Sequence, residues 1–235
     1  MRETVDIVRA AFAGDKIAYS GSMHQIPLPD GEGKPMRLST RAKHPIPVYL
    51  ATLSPNMLAL TGEIADGWLG TSFVPEGADA AYFAHLDAGL ARAGRDRRDL
   101  DVCQGAEVSF VPDERALREV VASRKKELAF SLGGMGSVST NFYNQAYSRQ
   151  GWAETAAEVQ TRWQAGDRDG AAELVTDEMV LATTLIGTEL MVRDRLRVRQ
   201  DAGVDTVRMY PAGDTLDARL ETLGRAIAIV HEIAT

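Results

Sequence analysis

Apolar residues recur at two different spacings along the chain, and each spacing indicates one kind of secondary structure. Near the start, Val5, Val8 and Phe12 follow one another at intervals of three and four residues, with Gly14 behind them, which predicts an amphipathic helix that ends near that glycine. Residues 17–45 contain seven glycines and prolines in total. This density of residues that interrupt helices and strands predicts a surface loop or hairpin excursion.

From residue 46 onward, short apolar runs alternate with helical patterns. Residues 46–51 favour a strand, and the signals that follow, Ser54, Pro55 and Gly67, are typical of the start and end of a helix. The same criteria predict three further strands, at residues 68–72, 101–111 and 204–210. Helices are predicted at residues 76–93, 113–131, 187–203 and 214–234. Residues 133–183 show short helical stretches without a convincing strand, and we interpret them as a helical insertion.

This alternation of strand and helix predicts a parallel sheet of about four strands that is covered by helices. Such a sheet occurs in open doubly wound folds and in one half of a (β/α)8 barrel, and the periodicity alone does not distinguish the two. Half of a barrel has two unpaired edges, which other strands or other chains can extend. The barrel interpretation therefore requires a further element that completes the sheet.

Residues 46–72 combine a short strand, a turn with Pro55, a helix and an Ala-Asp-Gly triplet at residues 65–67 before the next strand. This arrangement resembles the fifth strand, the following helix and the sixth strand of the luciferase-like monooxygenase superfamily, and in particular of its members that use the deazaflavin coenzyme F420. The resemblance continues over residues 86–102, 128–152 and 186–211. It implies a single α/β domain over residues 1–235 that belongs to the (β/α)8 TIM-barrel family and lacks the N-terminal strands of the barrel.

The resemblance implies an oxidoreductase that transfers a hydride between coenzyme F420 and a small organic substrate, whose identity the sequence does not indicate. Two alternatives remain open. One is a monooxygenase that uses flavin mononucleotide (FMN) with oxygen, and the other is a noncatalytic fragment or assembly subunit, because about four strands leave the barrel incomplete. Since the cofactor supplies the reactive chemistry in such enzymes, no catalytic triad is expected and no catalytic residue is assigned. A homodimer is the assembly that the resemblance implies.

The turn at residues 51–56 is the principal candidate for a cofactor site. Its amides lie at the predicted start of a helix, where free N–H groups and the helix dipole favour an anion. On the residues alone, the favoured interpretation is that Ser54 merely caps that helix. The resemblance reverses this preference, because relatives bind the cofactor phosphate at this turn. The cofactor-binding residues predicted here are Ala51, Thr52, Leu53, Ser54 and Asn56.

Two other strand ends supply candidate side chains. Thr71 and Ser72 end the second predicted strand, and in a barrel the carboxyl ends of the strands face the active-site mouth. We therefore expect both residues to contact the cofactor, although ordinary turn chemistry before Pro75 explains them equally well. By the same argument, Arg208 and Tyr210 are expected on the substrate side, with a structural ion pair as the alternative role of the arginine.

Composition narrows the range of partners and surroundings. The 235 residues carry a net charge of −7, so no general positive field attracts nucleic acid or anionic membranes, and a small molecule is the expected partner. The single cysteine, Cys103, excludes an intramolecular disulfide, and no histidine or cysteine spacing indicates a metal site. Neither a signal-peptide pattern nor an apolar run of about 18 residues occurs. These observations predict a reducing, cytoplasmic location.

Overall fold

The computed structural model describes residues 1–234, which begin with a helix and a small antiparallel hairpin. The helix is α1 (Arg2–Ala13), and the hairpin pairs β1 (Tyr19–Ser20) with β2 (Gln25–Ile26). The carboxylate of Glu3 on the helix accepts hydrogen bonds from three backbone amides of the hairpin turn. The hairpin lies within the segment that was predicted as a loop or hairpin excursion, and these bonds hold it against the helix.

The main sheet consists of five parallel strands: β3 (Tyr49–Leu50), β4 (Gly67–Gly70), β5 (Asp101–Phe110), β6 (Leu185–Gly187) and β7 (Thr206–Pro211). The longest strand, β5, lies at the centre. Val108 of β5 pairs with Leu185 of β6 and with Pro211 of β7, so these two strands flank β5 on opposite sides. On the β6 side, β4 pairs with the first part of β5, and β3 pairs with the far side of β4. The outermost strands of the sheet are therefore β3 and β6 on one side of β5 and β7 on the other.

All four predicted strands are present, and the structure adds a fifth, β6. Its three residues are too few to show a periodicity, and the sequence pattern merged its last residue with the following helix, which was predicted to begin at residue 187. Thr188 caps that helix, which starts at Glu189. The strand predicted at residues 46–51 is shorter than expected, because only two of its residues pair with β4.

The remaining helices cover one face of the sheet and also form a separate helical layer. They are α2 (Pro55–Ile64), α3 (Ala84–Arg92), α4 (Glu114–Gly134), α5 (Phe142–Tyr147), α6 (Ala153–Gln164), α7 (Arg168–Glu173), α8 (Asp177–Thr183), α9 (Glu189–Asp201) and α10 (Leu216–Ile233). Short 3₁₀ or π turns occur at Pro75–Gly77, Asp79–Phe83, Arg97–Asp99 and Ser148–Trp152. Within residues 1–234, none of the helices combines the length and the apolar character needed to cross a membrane.

The two faces of β5 differ in their surroundings, because successive side chains of a strand point to opposite sides. Val102 packs with residues of α2 and α3, whereas Ala106 and Val108 pack with residues of α9 and α10. The opposite face carries Glu107 and, on β7, Arg208, and both line an open pocket. The layer of α2, α3, α9 and α10 on the first of these faces is the arrangement of a barrel wall. Over the described part of the chain this wall keeps its two free edges and does not close.

The helical insertion builds a second apolar core against α4. This core is a cluster of buried side chains from α4, α6 and α8 that includes Val121, Leu132, Val159 and Met179. From this position the π turn Ser148–Trp152 reaches the end of the sheet, where Gln150 bonds to the backbone carbonyl of Ser72, just beyond β4. The insertion therefore lies over the carboxyl ends of the strands, where a parallel sheet binds its ligands.

Candidate functional site

The turn after β3 leads directly into the first turn of α2. Ser54 is the N-cap residue, with φ −81° and ψ 148°, and Pro55 follows at the start of the helix. The Ser54 side chain makes no capping hydrogen bond. Within residues 1–234, no partner is found for the backbone amides of Asn56 and Met57 either, although Leu58 bonds normally to the carbonyl of Ser54. The start of α2 therefore presents free N–H groups and a free hydroxyl.

The residues before Ser54 fix the position of this turn. The Thr52 side chain is buried, its hydroxyl lies 2.8 Å from the Thr61 hydroxyl, and its carbonyl accepts a 2.9 Å hydrogen bond from the Trp68 indole. Leu53 packs against the apolar core, whereas Ala51 is exposed. Thr52 is one of the residues predicted to bind the cofactor. Its side chain points into the protein, so this residue can contact a ligand only through its backbone.

The loop after β4 holds the second pair of predicted cofactor residues, Thr71 and Ser72. Thr71 is exposed, and Ser72 adopts the left-handed conformation with φ 54°, which costs energy for a residue other than glycine. The Ser72 carbonyl accepts hydrogen bonds from the Tyr82 hydroxyl at 3.0 Å and from Gln150 Nε2 at 2.7 Å. The Gln150 Oε1 accepts a 2.7 Å bond from the Val74 amide. These bonds hold the loop in its strained conformation.

Two neighbouring residues of the helical insertion join both loops. Arg149 donates a 2.7 Å hydrogen bond from Nη2 to the carbonyl of Leu53, while Gln150 binds the loop after β4. Both lie in the π turn Ser148–Trp152, where Gly151 takes φ 100°, a conformation that favours glycine. Sequence reasoning missed this Arg149–Gln150 pair. The signal available was two long polar side chains directly before a glycine in an otherwise helical segment.

A pocket of about 220 Å³ brings together the other predicted site residues. Thr71 and Ser72 line it together with Arg208 and Tyr210, and Glu107 contributes a carboxylate. The structure therefore joins the second and fourth predicted strand ends in one cavity. The turn at residues 51–56 does not line this pocket and is connected to it through the Arg149–Gln150 pair.

Arg208 is the cation of this pocket. Its Nη2 donates a 3.3 Å hydrogen bond to the carbonyl of Gly70, and its guanidinium lies 6.0 Å from the centre of the Tyr210 ring. Its Nε is buried without a partner in the described residues, and no carboxylate of residues 1–234 pairs with it. The predicted alternative, a structural ion pair, is therefore wrong for Arg208. Tyr210 is 55% exposed and forms part of the rim.

The other titratable groups of the pocket have pKa values changed by burial. Burial raises the pKa of Glu107, against the opposing effect of Arg124, with which it forms an ion pair. Burial also raises the pKa of Tyr147 to about 12, although hydrogen bonds to Thr183 and Ser72 act in the opposite direction. The pocket thus combines three kinds of group: a cation that has no acidic partner in the described residues, a carboxylate that is paired with Arg124, and a phenol that keeps its proton.

A larger groove of about 480 Å³ lies elsewhere, between α9, α10 and β7. Its lining is mostly aliphatic, with residues such as Leu196, Val207, Leu223 and Ile227. The groove offers few polar groups to orient a ligand, and it lies on the helical side of the sheet. We therefore place the candidate site at the strand ends, where polar groups converge.

The sequence profile of the luciferase-like monooxygenase family matches residues 1–206. The chain belongs to this family. Among curated relatives of this luciferase-like chain, a Mycobacterium tuberculosis protein named as a candidate coenzyme F420-dependent oxidoreductase is 36% identical over 229 residues, covering 93% of this chain and 64% of the relative. A 5,10-methylenetetrahydromethanopterin reductase of Archaeoglobus fulgidus is 28% identical, covering 97% and 64%. The chain therefore spans slightly less than two thirds of these relatives.

Solved structures show the same fold. A coenzyme F420-dependent tetrahydromethanopterin reductase of Methanopyrus kandleri superposes with a TM-score of 0.68 at 24% identity, over 95% of this chain and 60% of that protein. An F420-dependent secondary alcohol dehydrogenase, solved with an F420-acetone adduct, gives a TM-score of 0.66 at 17% identity, over 97% and 60%. Together with the open parallel sheet, these likenesses confirm the predicted fold class, an α/β chain of the (β/α)8 barrel family with an incomplete barrel.

Proposed function

We propose that this luciferase-like chain is an oxidoreductase that binds coenzyme F420 and transfers a hydride between its deazaflavin ring and a small organic substrate. The observation that carries the proposal is the start of α2, where Ser54 leaves its hydroxyl and the amides of Asn56 and Met57 free. Relatives and structural neighbours that are named for F420 support the choice of cofactor. In a chain with a net charge of −7, an anionic cofactor requires such local donors.

The residues at the strand ends fit the two parts of this function. The Ser54 hydroxyl and the free amides of α2 would hold the phosphate of the cofactor side chain, and Arg149 brings a positive charge to the same turn. When bound, the deazaflavin supplies the hydride chemistry. Arg208 and Tyr210 would orient a polar group of the substrate, because the Nε of this arginine is buried without a partner among residues 1–234.

An FMN-dependent monooxygenase is the second candidate, since FMN also carries a phosphate and the free amides suit either cofactor. The family name supports this alternative, whereas the names of the relatives support F420. A noncatalytic fragment or assembly subunit is the third candidate, favoured by the two free edges of the sheet. A cytoplasmic location and a homodimer complete the proposal, and light scattering on the purified chain tests the dimer.

Binding titrations followed by cofactor fluorescence test the choice of cofactor. We expect F420 to bind at a lower concentration than FMN, and tighter binding of FMN would replace F420 by the monooxygenase alternative. Turnover of reduced F420 with a panel of small carbonyl and imine acceptors then separates the enzyme from the fragment. A chain that binds F420 but oxidises none of it with any acceptor would support the noncatalytic alternative.

A further inference from the structure

Arg149 is a partly buried cation that has no acidic partner within residues 1–234. Its Nη2 bonds to the Leu53 carbonyl, and its Nε is buried without any hydrogen-bond partner in the described part of the chain. Burial lowers the pKa of Arg149, and the nearby Tyr82 opposes this effect only in part. A buried cation without a counter-ion is costly, so this position is suited to an anion that comes from outside the chain.

The bond from Arg149 reaches the carbonyl that stands just before the N-cap of α2. The first amides of a helix have no acceptor within the helix, and the Ser54 side chain provides no substitute for those of Asn56 and Met57. Arg149 therefore places a positive charge beside donors that the start of the helix leaves free.

We propose that Arg149 is a positioning residue of the phosphate-binding turn, and that it also supplies the charge that distinguishes a phosphorylated cofactor from the same ring system without phosphate. This inference rests on the proposed function, because it takes the turn at residues 51–56 as the site of the cofactor phosphate. It adds that a residue of the helical insertion, 96 positions away from Leu53, sets the preference for the anionic arm of the ligand.

A purely structural role is the competing explanation, in which Arg149 only fastens the insertion to the sheet. The two roles differ in their effect on ligands. Loss of a structural bond weakens all ligands of the site alike, whereas loss of a phosphate-directed charge weakens only the phosphorylated ligand and reduces its dependence on salt. A comparison of F420 with the deazaflavin core that lacks the phosphate arm therefore separates them.

The experiment uses the whole chain and measures dissociation constants for both ligands by fluorescence, at low and high ionic strength, with thermal unfolding recorded for every variant. The test variants are Arg149→Met and Arg149→Lys. The matched control is Arg95→Met, because Arg95 also donates to a backbone carbonyl of α2, that of Gly62, at 2.9 Å near the far end of the helix.

We expect Arg149→Met to weaken F420 binding about tenfold, the loss of one charge-assisted contact, while the phosphate-free core changes less than about twofold. We expect Arg149→Lys to recover part of the loss and Arg95→Met to leave both ligands unchanged. If Arg149→Met does not fold, Arg149→Lys and Arg149→Gln provide the same comparison of a retained with a removed charge.

Equal weakening of both ligands by Arg149→Met would overturn the inference and leave the proposed function intact. Equal affinity of the unchanged protein for F420 and for the phosphate-free core would instead refute the phosphate site itself. If FMN binds more tightly than F420, the choice of cofactor fails. FMN and riboflavin, which lacks the phosphate, then take the place of F420 and its phosphate-free core. The same outcomes decide the role of Arg149.

Discussion

The two parts of the candidate site are built in different ways. The turn before α2 offers backbone amides and one hydroxyl, and its position is set by buried contacts of Thr52 and by Arg149. The pocket at the ends of β4, β5 and β7 offers exposed or half-buried side chains, among them Arg208 and Tyr210. Backbone donors bind the same group whatever the side chains are, whereas side chains at a rim can be exchanged. The difference supports a division of the site into two ends. Backbone groups at one end would bind the same cofactor whatever the side chains are, and exchangeable side chains at the other end would select the substrate.

The largest effect is expected from Ser54→Asp. A carboxylate at the start of α2 would repel a phosphate and should weaken F420 binding about 100-fold, although Asp is a favourable N-cap and should preserve or raise helix stability. Fluorescence titration and thermal unfolding measure the two effects. The control is Thr176→Asp, which also introduces a carboxylate at a helix N-cap, that of α8, and should not alter the affinity for F420. Unchanged affinity of folded Ser54→Asp would remove the turn from the cofactor site.

A smaller effect is expected from Gln150→Leu, which tests whether the insertion holds the loop after β4. The change leaves the Val74 amide and the Ser72 carbonyl without this partner, so we expect the free energy of unfolding to fall by about 2 kcal/mol. Urea denaturation measures it. The control is Gln160→Leu, since the Nε2 of Gln160 is buried without a partner in the described residues and its removal should cost less than about 1 kcal/mol. Equal losses would contradict a special role for Gln150.

Tyr147 allows the surroundings of the pocket to be tested by pH. Tyrosine ionises near pH 10 in an unfolded chain, whereas burial raises the pKa of Tyr147 to about 12. The folded state therefore holds this proton more tightly, so its contribution to stability is complete below about pH 10 and is lost as the pH rises towards about 12. Over this range we expect Tyr147→Phe to lose about 2 kcal/mol less of the free energy of unfolding than the unchanged protein. Urea denaturation across this pH range gives the difference.

The matched control for this measurement is Tyr210→Phe, at a residue of the same pocket that is 55% exposed. It should follow the pH dependence of the unchanged protein. An identical alkaline loss in Tyr147→Phe and in the unchanged protein would show that Tyr147 is not shielded from water as the structure places it.

The smallest effect is expected from Arg208→Met. Since Arg208 lines the pocket and the turn at residues 51–56 does not, we expect F420 affinity to change by less than about twofold, well below 1 kcal/mol. The same titration provides the measurement. A loss as large as that caused by Ser54→Asp would show that the two parts form one site and would end the distinction between a cofactor end and a substrate end.

The sequence predicted the features that depend on neighbouring residues. Periodicity within short windows indicated the four main strands and the insertion, and Ser54 with Pro55 marked the start of α2. The strand β6 escaped because three residues carry no periodicity. The capping role considered for Ser54 was also local, but whether the bond forms depends on the orientation of the side chain, which the pattern does not contain.

The family resemblance and the open barrel could thus be recognised from the sequence alone, because they rest on segments that each keep their own pattern. Only the tertiary structure decided which distant residues meet. Arg149 and Gln150 contact loops 96 and 76 residues away in the chain, and Thr52 turns its hydroxyl towards Thr61 in the core rather than towards the turn. The contacts of Arg149 and Gln150 arise because the insertion packs over the strand ends, and this packing depends on the whole chain rather than on any single segment.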